Sequence, residues 1–259
     1  MTWIVSLCAI AAFALLTWRM RQTVAGLERR LAAARHELEF LQAAFSRFVP
    51  ARVVDEIVAD GISTHTEKKE VTVLFADLKG FTALSEALAP ADLVHILNGY
   101  LERMTAVIVE HRGHVSELVG DGILALFGAL EANPWQTNDA VHTALAMRSA
   151  LAEYNVSLVG AGHPPLALSI GIHRGPVVAG LIGSAGLMKY GVIGLAVNLA
   201  ARVEALTRVH AVDILVTEEI RAELDGRFRL RALLPVSVKG IAEPVATFAV
   251  EGFEEHFNI

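Results

Sequence analysis

Asp77 and Asp121 are the carboxylates of this 259-residue chain whose settings can do chemistry. The first closes a short, continuous apolar run, Val71 to Ala76, which reads as a buried strand delivering a carboxylate at its end. The second sits at the tip of Gly120-Asp121-Gly122, between Val115–Val119 and Ile123–Phe127, the pattern of two strands joined by a tight turn. A strand end and a hairpin tip can converge on a pair of hard divalent cations, because Mg²⁺ takes oxygen ligands and usually only one or two carboxylates besides phosphate. The plainer reading of either aspartate alone is a cap or turn residue.

The elements around these residues must hold them in place. Pro90 stands where a helix can begin, Leu93, Ile96, Leu97, Tyr100, Leu101, Met104, Val107 and Ile108 give it one apolar face, and Gly113 is placed to end it. Further helices are predicted over about 138–158 and 196–206. Strands are predicted over 166–173, 176–182, near Ile214 and across 236–250. Helices alternating with antiparallel hairpins give an α+β class, a central mixed sheet with helices packed on it.

Upstream, Thr2 to Trp18 carries no charge and reaches the lower edge of the ~17 to 25 residues a spanning helix needs. Arg19 and Arg21 follow this stretch, and Trp3 and Trp18 bracket it. The reading is a single-pass transmembrane anchor over 1–21, with the N-terminus outside and the rest in the cytoplasm, at the cell (inner) membrane. A cleaved signal peptide would place its positive charge first. Val24, Leu27, Leu31, Ala34, Leu38, Leu41, Phe45 and Phe48 then fall at steps of three and four, so 22–49 reads as the seam of a parallel two-stranded coiled coil. The alternative is one amphipathic helix lying on its own domain. Pro50 and the polar run Asp60–Glu70 make 50–70 a connector to a globular domain over 71–253.

The net charge of -6, with no basic block, excludes a nucleic-acid binder that works by phosphate neutralisation. The single cysteine, Cys8, excludes an intrachain disulfide and a cysteine zinc cage. The 54% of hydrophobic residues suffice for one sizeable core.

Four segments occur in a particular order: Phe75-Ala76-Asp77-Leu78-Lys79-Gly80-Phe81-Thr82, Val119-Gly120-Asp121-Gly122, Val197-Asn198-Leu199-Ala200-Ala201-Arg202 and Val238-Lys239-Gly240. In order and spacing, from about Val71 to Val250, they resemble the signature segments of class III adenylyl and guanylyl cyclases. The resemblance implies a ferredoxin-like, palm-type fold and a homodimer that turns GTP or ATP into its 3′,5′-cyclic monophosphate with two divalent cations, Mg²⁺ or Mn²⁺. It makes Asp77, Asp121 and the carbonyl of Leu78 metal ligands and sets the Gly80-Phe81-Thr82 backbone near the phosphates. Asn198 and Arg202 become the catalytic pair that orients the ribose and stabilises the transition state, and Lys239 the contact to the triphosphate. The family draws its metal aspartates from one protomer and the Asn, Arg and Lys from the other. Asn198 and Arg202 are four apart and share one helix face, so a guanidinium there can hold charge developing on the α-phosphate; the plainer reading is a solvated helix edge.

Purine selection in that family rests mainly on two positions, here Glu117 and Gly191. A carboxylate is acceptor-only and can take both the N1 and 2-amino hydrogens of guanine, whereas adenine presents an unprotonated N1, so Glu117 favours GTP. Gly191 neither supports nor blocks this, and a solvent-facing Glu117 in an ATP-using enzyme is the alternative. The family's usual Gly-Asp-Thr-Val-Asn is replaced by Gly194-Leu195-Ala196-Val197-Asn198, which loses a carboxylate and a hydroxyl but leaves the metal aspartates untouched. A cyclase fold serving only as a nucleotide-binding or dimerisation module is the non-enzymatic alternative. A diguanylate cyclase would need a Gly-Gly-Asp/Glu-Glu-Phe hairpin, which Gly120-Asp121-Gly122-Ile123 does not supply. His173 and the other histidines show no paired ligand spacing and receive no role.

Overall fold

The structure, a computed structural model, describes residues 2–45, 66–184, 187–237 and 244–254, with the side chains of 2–14, 42–45 and 187 outside the description. Lys239, Phe48 and Pro50 therefore lie outside the described residues. The chain divides into two units, Met1–Ser63 and Thr64–Ile259.

The described part of the first unit is the helix α1 (Thr2–Phe45). It contains the uncharged run, but among the described residues no helix is long and apolar enough to cross a membrane. From Arg19 onward charged residues recur at short intervals, which ends any apolar stretch. The expected seam is helical over its described part, and Val24, Leu27, Leu31, Leu38 and Leu41 all remain exposed in the single chain.

The second unit is built on β1 (Thr66–Leu78), the short helix α2 (Phe81–Ala87), α3 (Pro90–Glu110), β2 (His114–Val119), β3 (Gly122–Phe127), α4 (Gln136–Gly160) and β4 (Leu168–Ser184). It continues through β5 (Leu187–Ile193), α5 (Leu195–His210), β6 (Ile214–Thr217), α6 (Glu218–Arg221), β7 (Phe228–Ala232) and β8 (Thr247–Phe253). The described strands form one sheet in the order β2-β3-β1-β4-β6-β8-β7, with β5 added to β4. The β4–β6 pair is parallel and the other pairs are antiparallel, so the sheet is mixed, as the α+β reading required.

The centre of this sheet is covered on both faces, which explains why Val71–Ala76 is apolar without alternation. Leu74, Ala76 and Leu78 pack with Ile96, Tyr100 and Met104 of α3 and Ala144 and Met147 of α4. Val71 and Val73 pack on the opposite side with Ala196 and Ala200 of α5. The helix α5 lies so close to the sheet that a Cβ at Gly171 of β4 would stand 2.1 Å from the Glu204 backbone nitrogen. Only glycine admits that approach.

Three features depart from the sequence reading. The strand β1 starts at Thr66 and not Val71, because its polar residues 66–70 pair with β4 from Gly180 to Pro176 beyond the packed core. The two strands expected at 166–173 and 176–182 are one continuous β4. Pro176 does not break it, since β6 pairs residues 170–172 and β5 pairs 178–184, and the missing N–H of Pro176 falls in the gap between. Among the described residues of the 236–250 region the strand is β8, which begins at Thr247, preceded by a Val236–Val245 bridge.

Candidate active site

Asp77 is the penultimate residue of β1, and alternation along the strand puts it on the Val71, Val73 and Phe75 side, the one that α5 covers. Gly120 and Asp121 form the two-residue turn between β2 and β3, with Gly120 at φ +63°, in the left-handed region that glycine enters freely. Pairing of Ala76 with Ile123 sets this turn beside the end of β1. There the Leu78 N–H donates to Asp121 Oδ2 at 3.2 Å, and a methyl group at Gly122 would stand 3.8 Å from Asp77 Oδ1. The two aspartates predicted to converge are brought together.

Their electrostatics suit a cation. Burial first, and then the Asp77 carboxyl hydrogen-bonded beside it, push the Asp121 carboxyl up to about 6. The fully buried Tyr100 hydroxyl lies in the field of the same pair, has no hydrogen-bond partner among the described residues, and is raised by burial and then by both aspartates. Among the described residues no cluster of three or more His, Cys, Asp and Glu forms. A two-carboxylate, all-oxygen set fits Mg²⁺ or Mn²⁺, which keep open positions for phosphate and water. Gly80, at φ +74°, turns the chain from β1 into α2 and presents Phe81 and Thr82 directly after the aspartate strand. Lys79 is turned away, its Nζ donating to the Val212 carbonyl at 2.7 Å.

Asn198 and Arg202 lie on α5, exposed and half-buried respectively, and neither makes a hydrogen bond or ion pair within the described chain. Another residue of α5, Arg208, reaches Asp77, its Nη2 donating to Oδ2 at 2.7 Å. At the helical rise, Asn198 and Arg202 stand about 15 and about 9 Å further along the axis from Arg208. The chain does not bring them to its own carboxylate pair.

Glu117 lies on β2 beside a bulge between Val115 and Glu117, and its Oε1 accepts from Lys189 Nζ of β5 at 2.8 Å. The backbone of Gly191 comes near the same strand, since a Cβ there would meet the Ser116 hydroxyl at 3.9 Å. The two expected purine positions are thus on facing strands. Leu195, in place of the family's usual carboxylate, is among the most exposed apolar residues, whereas Ala196 is buried under the sheet.

Sequence reasoning missed Lys189, Arg208 and Glu204. Glu204 is buried, accepts from the Ser169 hydroxyl at 2.5 Å and lies 3.6 Å from Arg208. Burial pushes its carboxyl above the ordinary range. The i,i+4 spacing of Glu204 and Arg208 was a readable signal for their pair; nothing local announces that Lys189 meets Glu117.

The sequence profile of the "Adenylate and Guanylate cyclase catalytic domain" matches residues 63–252. An adenylate cyclase of Anabaena cylindrica is 35% identical over 218 residues, 80% of this chain and 42% of that protein, so the chain spans less than half of this relative's length. The crystal structure of the guanylyl cyclase Cya2 is 37% identical with a TM-score of 0.69, covering 74% of this chain and 97% of that one. That of the adenylyl cyclase CyaB from P. aeruginosa is 30% identical with a TM-score of 0.70, covering 74% and 98%. With the matching profile covering most of its length, the chain belongs to the adenylate and guanylate cyclase catalytic-domain family.

Proposed function

We propose that this chain is a membrane-tethered, homodimeric nucleotidyl cyclase that converts GTP, in preference to ATP, into the 3′,5′-cyclic monophosphate and pyrophosphate. The observation that carries this reading is the Asp77–Asp121 pair, held at the end of β1 by the Leu78 amide. In the reaction the ribose 3′ oxygen bonds to the α-phosphorus, the bond to the β-phosphate oxygen breaks, pyrophosphate leaves and the 3′ proton passes to solvent.

Two divalent cations, held by Asp77, Asp121 and the Leu78 carbonyl, would supply charge neutralisation and a more acidic 3′ hydroxyl when bound. The backbone of Gly80, Phe81 and Thr82 orients the phosphates, Asn198 positions the ribose, and Arg202 stabilises charge developing at the α-phosphate. Lys239 contacts the triphosphate. Asn198 and Arg202 have no hydrogen-bond or ion-pair partner among the described residues and stand away from the Asp77–Asp121 pair, which supports their acting on the site of a second copy. The exposed seam of α1 supports a coiled coil that holds the two copies together. The uncharged run 2–18 followed by Arg19 and Arg21 supports an inner-membrane anchor with the catalytic unit in the cytoplasm.

Guanine preference rests on Glu117 and its neighbour. Glu117 set against N1–H and the 2-amino group, with the Lys189 ammonium beside it toward O6, matches the edge of guanine, whereas a carboxylate in that place meets the unprotonated N1 of adenine with the wrong partner. The opposing reading, ATP as substrate, is favoured by the adenylate cyclase of Anabaena cylindrica. Product formation by the purified chain from GTP and from ATP, each with Mg²⁺ or Mn²⁺, decides between them. Cyclic GMP in excess, abolished by Asp77→Ala, is expected. Cyclic AMP in excess would overturn the purine assignment, and no product from a verified dimer would leave a nucleotide-binding module.

A further inference from the structure

We propose that Arg208 is a built-in competitor for the cation position at Asp77: its guanidinium holds that carboxylate in the free protomer and weakens divalent-cation binding there. The inference rests on the reading of Asp77 as a cation ligand.

The contact is built into the fold. Strand alternation turns Asp77 toward α5, and Arg208 in the last turn of that helix donates to Asp77 Oδ2 at 2.7 Å. Both sides of the contact are tied down. The Ser169 hydroxyl lies 3.2 Å from the Asp77 carbonyl oxygen and 2.5 Å from Glu204 Oε1, which fixes the end of β1 to the start of β4 and to α5. The close approach at Gly171 holds the helix against β4 at Glu204 itself. Arg208 is therefore not a side chain that happens to drift over a carboxylate; the backbone on either side is set by packing.

A dication at Asp77 meets two obstacles in this arrangement. One carboxylate oxygen already accepts a charge-assisted hydrogen bond, and a fixed positive charge stands beside it. The same geometry supplies the release. Glu204 Oε1 lies 3.6 Å from Arg208 Nη2, so a guanidinium leaving Asp77 closes onto a carboxylate one helical turn back without losing its ion pair. Arg208 thus has two resting places, and cation binding selects the one at Glu204. Because Arg208 is half exposed, water screens the competition, and a charged hydrogen bond of this kind is worth about tenfold in affinity.

The test is a Mn²⁺ titration of the full chain without nucleotide, read from the paramagnetic resonance signal of free Mn²⁺, on wild type, Arg208→Gln and Asp77→Ala. Arg208→Gln is expected to bind Mn²⁺ about tenfold more tightly than wild type, and Asp77→Ala to bind it more weakly. Unchanged or weaker binding by Arg208→Gln overturns the competitor. Mn²⁺ binding that survives Asp77→Ala overturns the cation reading of Asp77, and the inference with it. Arg208→Met covers the case in which Gln at 208 does not fold. Its uncharged side chain removes both the bridge to Asp77 and the positive charge, so tighter binding than wild type supports the competitor and unchanged or weaker binding overturns it.

Discussion

A carboxylate can accept two hydrogen bonds from guanine and donate none, so on the proposed reading of Glu117 the charge at that position sets which base edge is tolerated. Replacing it by Lys reverses donor and acceptor and sets an ammonium against Lys189, which now pairs with Glu117 at 2.8 Å. Glu117→Lys is expected to lower GTP turnover by about 100-fold or more while the fold persists, measured as kcat/KM for each purine. An unchanged GTP preference would refute the assignment. At this scale the aspartate pair was legible because each member ends a local pattern, an apolar run for Asp77 and a hairpin tip for Asp121. Lys189 and Arg208 were not, because each meets a residue far away in sequence, and that pairing is decided by sheet register and helix docking.

Helix α5 carries Asn198, Arg202 and Arg208, and its seat on β4 depends on one missing side chain. Gly171→Ala puts a methyl group 2.1 Å from the Glu204 backbone nitrogen, a clash with main chain that no rotamer relieves. A loss of about 3 kcal/mol in urea unfolding is expected, and a loss below about 1 kcal/mol would mean that α5 is free to lift from the sheet. Strand β2 carries a second handle on stability. Burial lowers the His114 imidazole from 6.5 to about 4, beside the Tyr190 ring. The unfolded chain therefore takes up the proton first. The stability due to neutral His114 is complete above about pH 6.5 and is lost as pH falls toward 4, at up to about 1.4 kcal/mol per pH unit. His114→Asn should flatten the fall in Tm between pH 7 and 5, and an identical fall in both proteins would contradict this.

The long helices α3, α4 and α5 were the most legible elements, since Pro90 and the period of the apolar residues mark α3, while the short α2 and α6 were not read. β5 and β7 were missed because LMKYGVI and FRLRA are short edge segments that mix charge or glycine into the apolar pattern, each pairing with a single neighbouring strand. The continuity of β4 through Pro176 could not be read locally either, since it depends on which strands pair beside it.

At the scale of the whole molecule, one chain carries a carboxylate pair at the end of β1 and an Asn–Arg face with no partner among the described residues. On the proposed reading these are two half-sites, which a twofold dimer held together by α1 would complete. Removing residues 1–45, which takes away α1, is expected to shift the protein toward monomer and to make its specific activity rise with concentration. Activity independent of concentration would separate α1 from assembly. The most direct measurement is complementation. Asp77→Ala and Arg202→Ala are expected to be inactive singly, each having spoiled both composite sites. Co-expressed, half of the dimers carry one intact site, so activity should return to about a quarter of wild type. An inactive mixture of verified heterodimers, or either variant active by itself, would contradict a site shared between two copies.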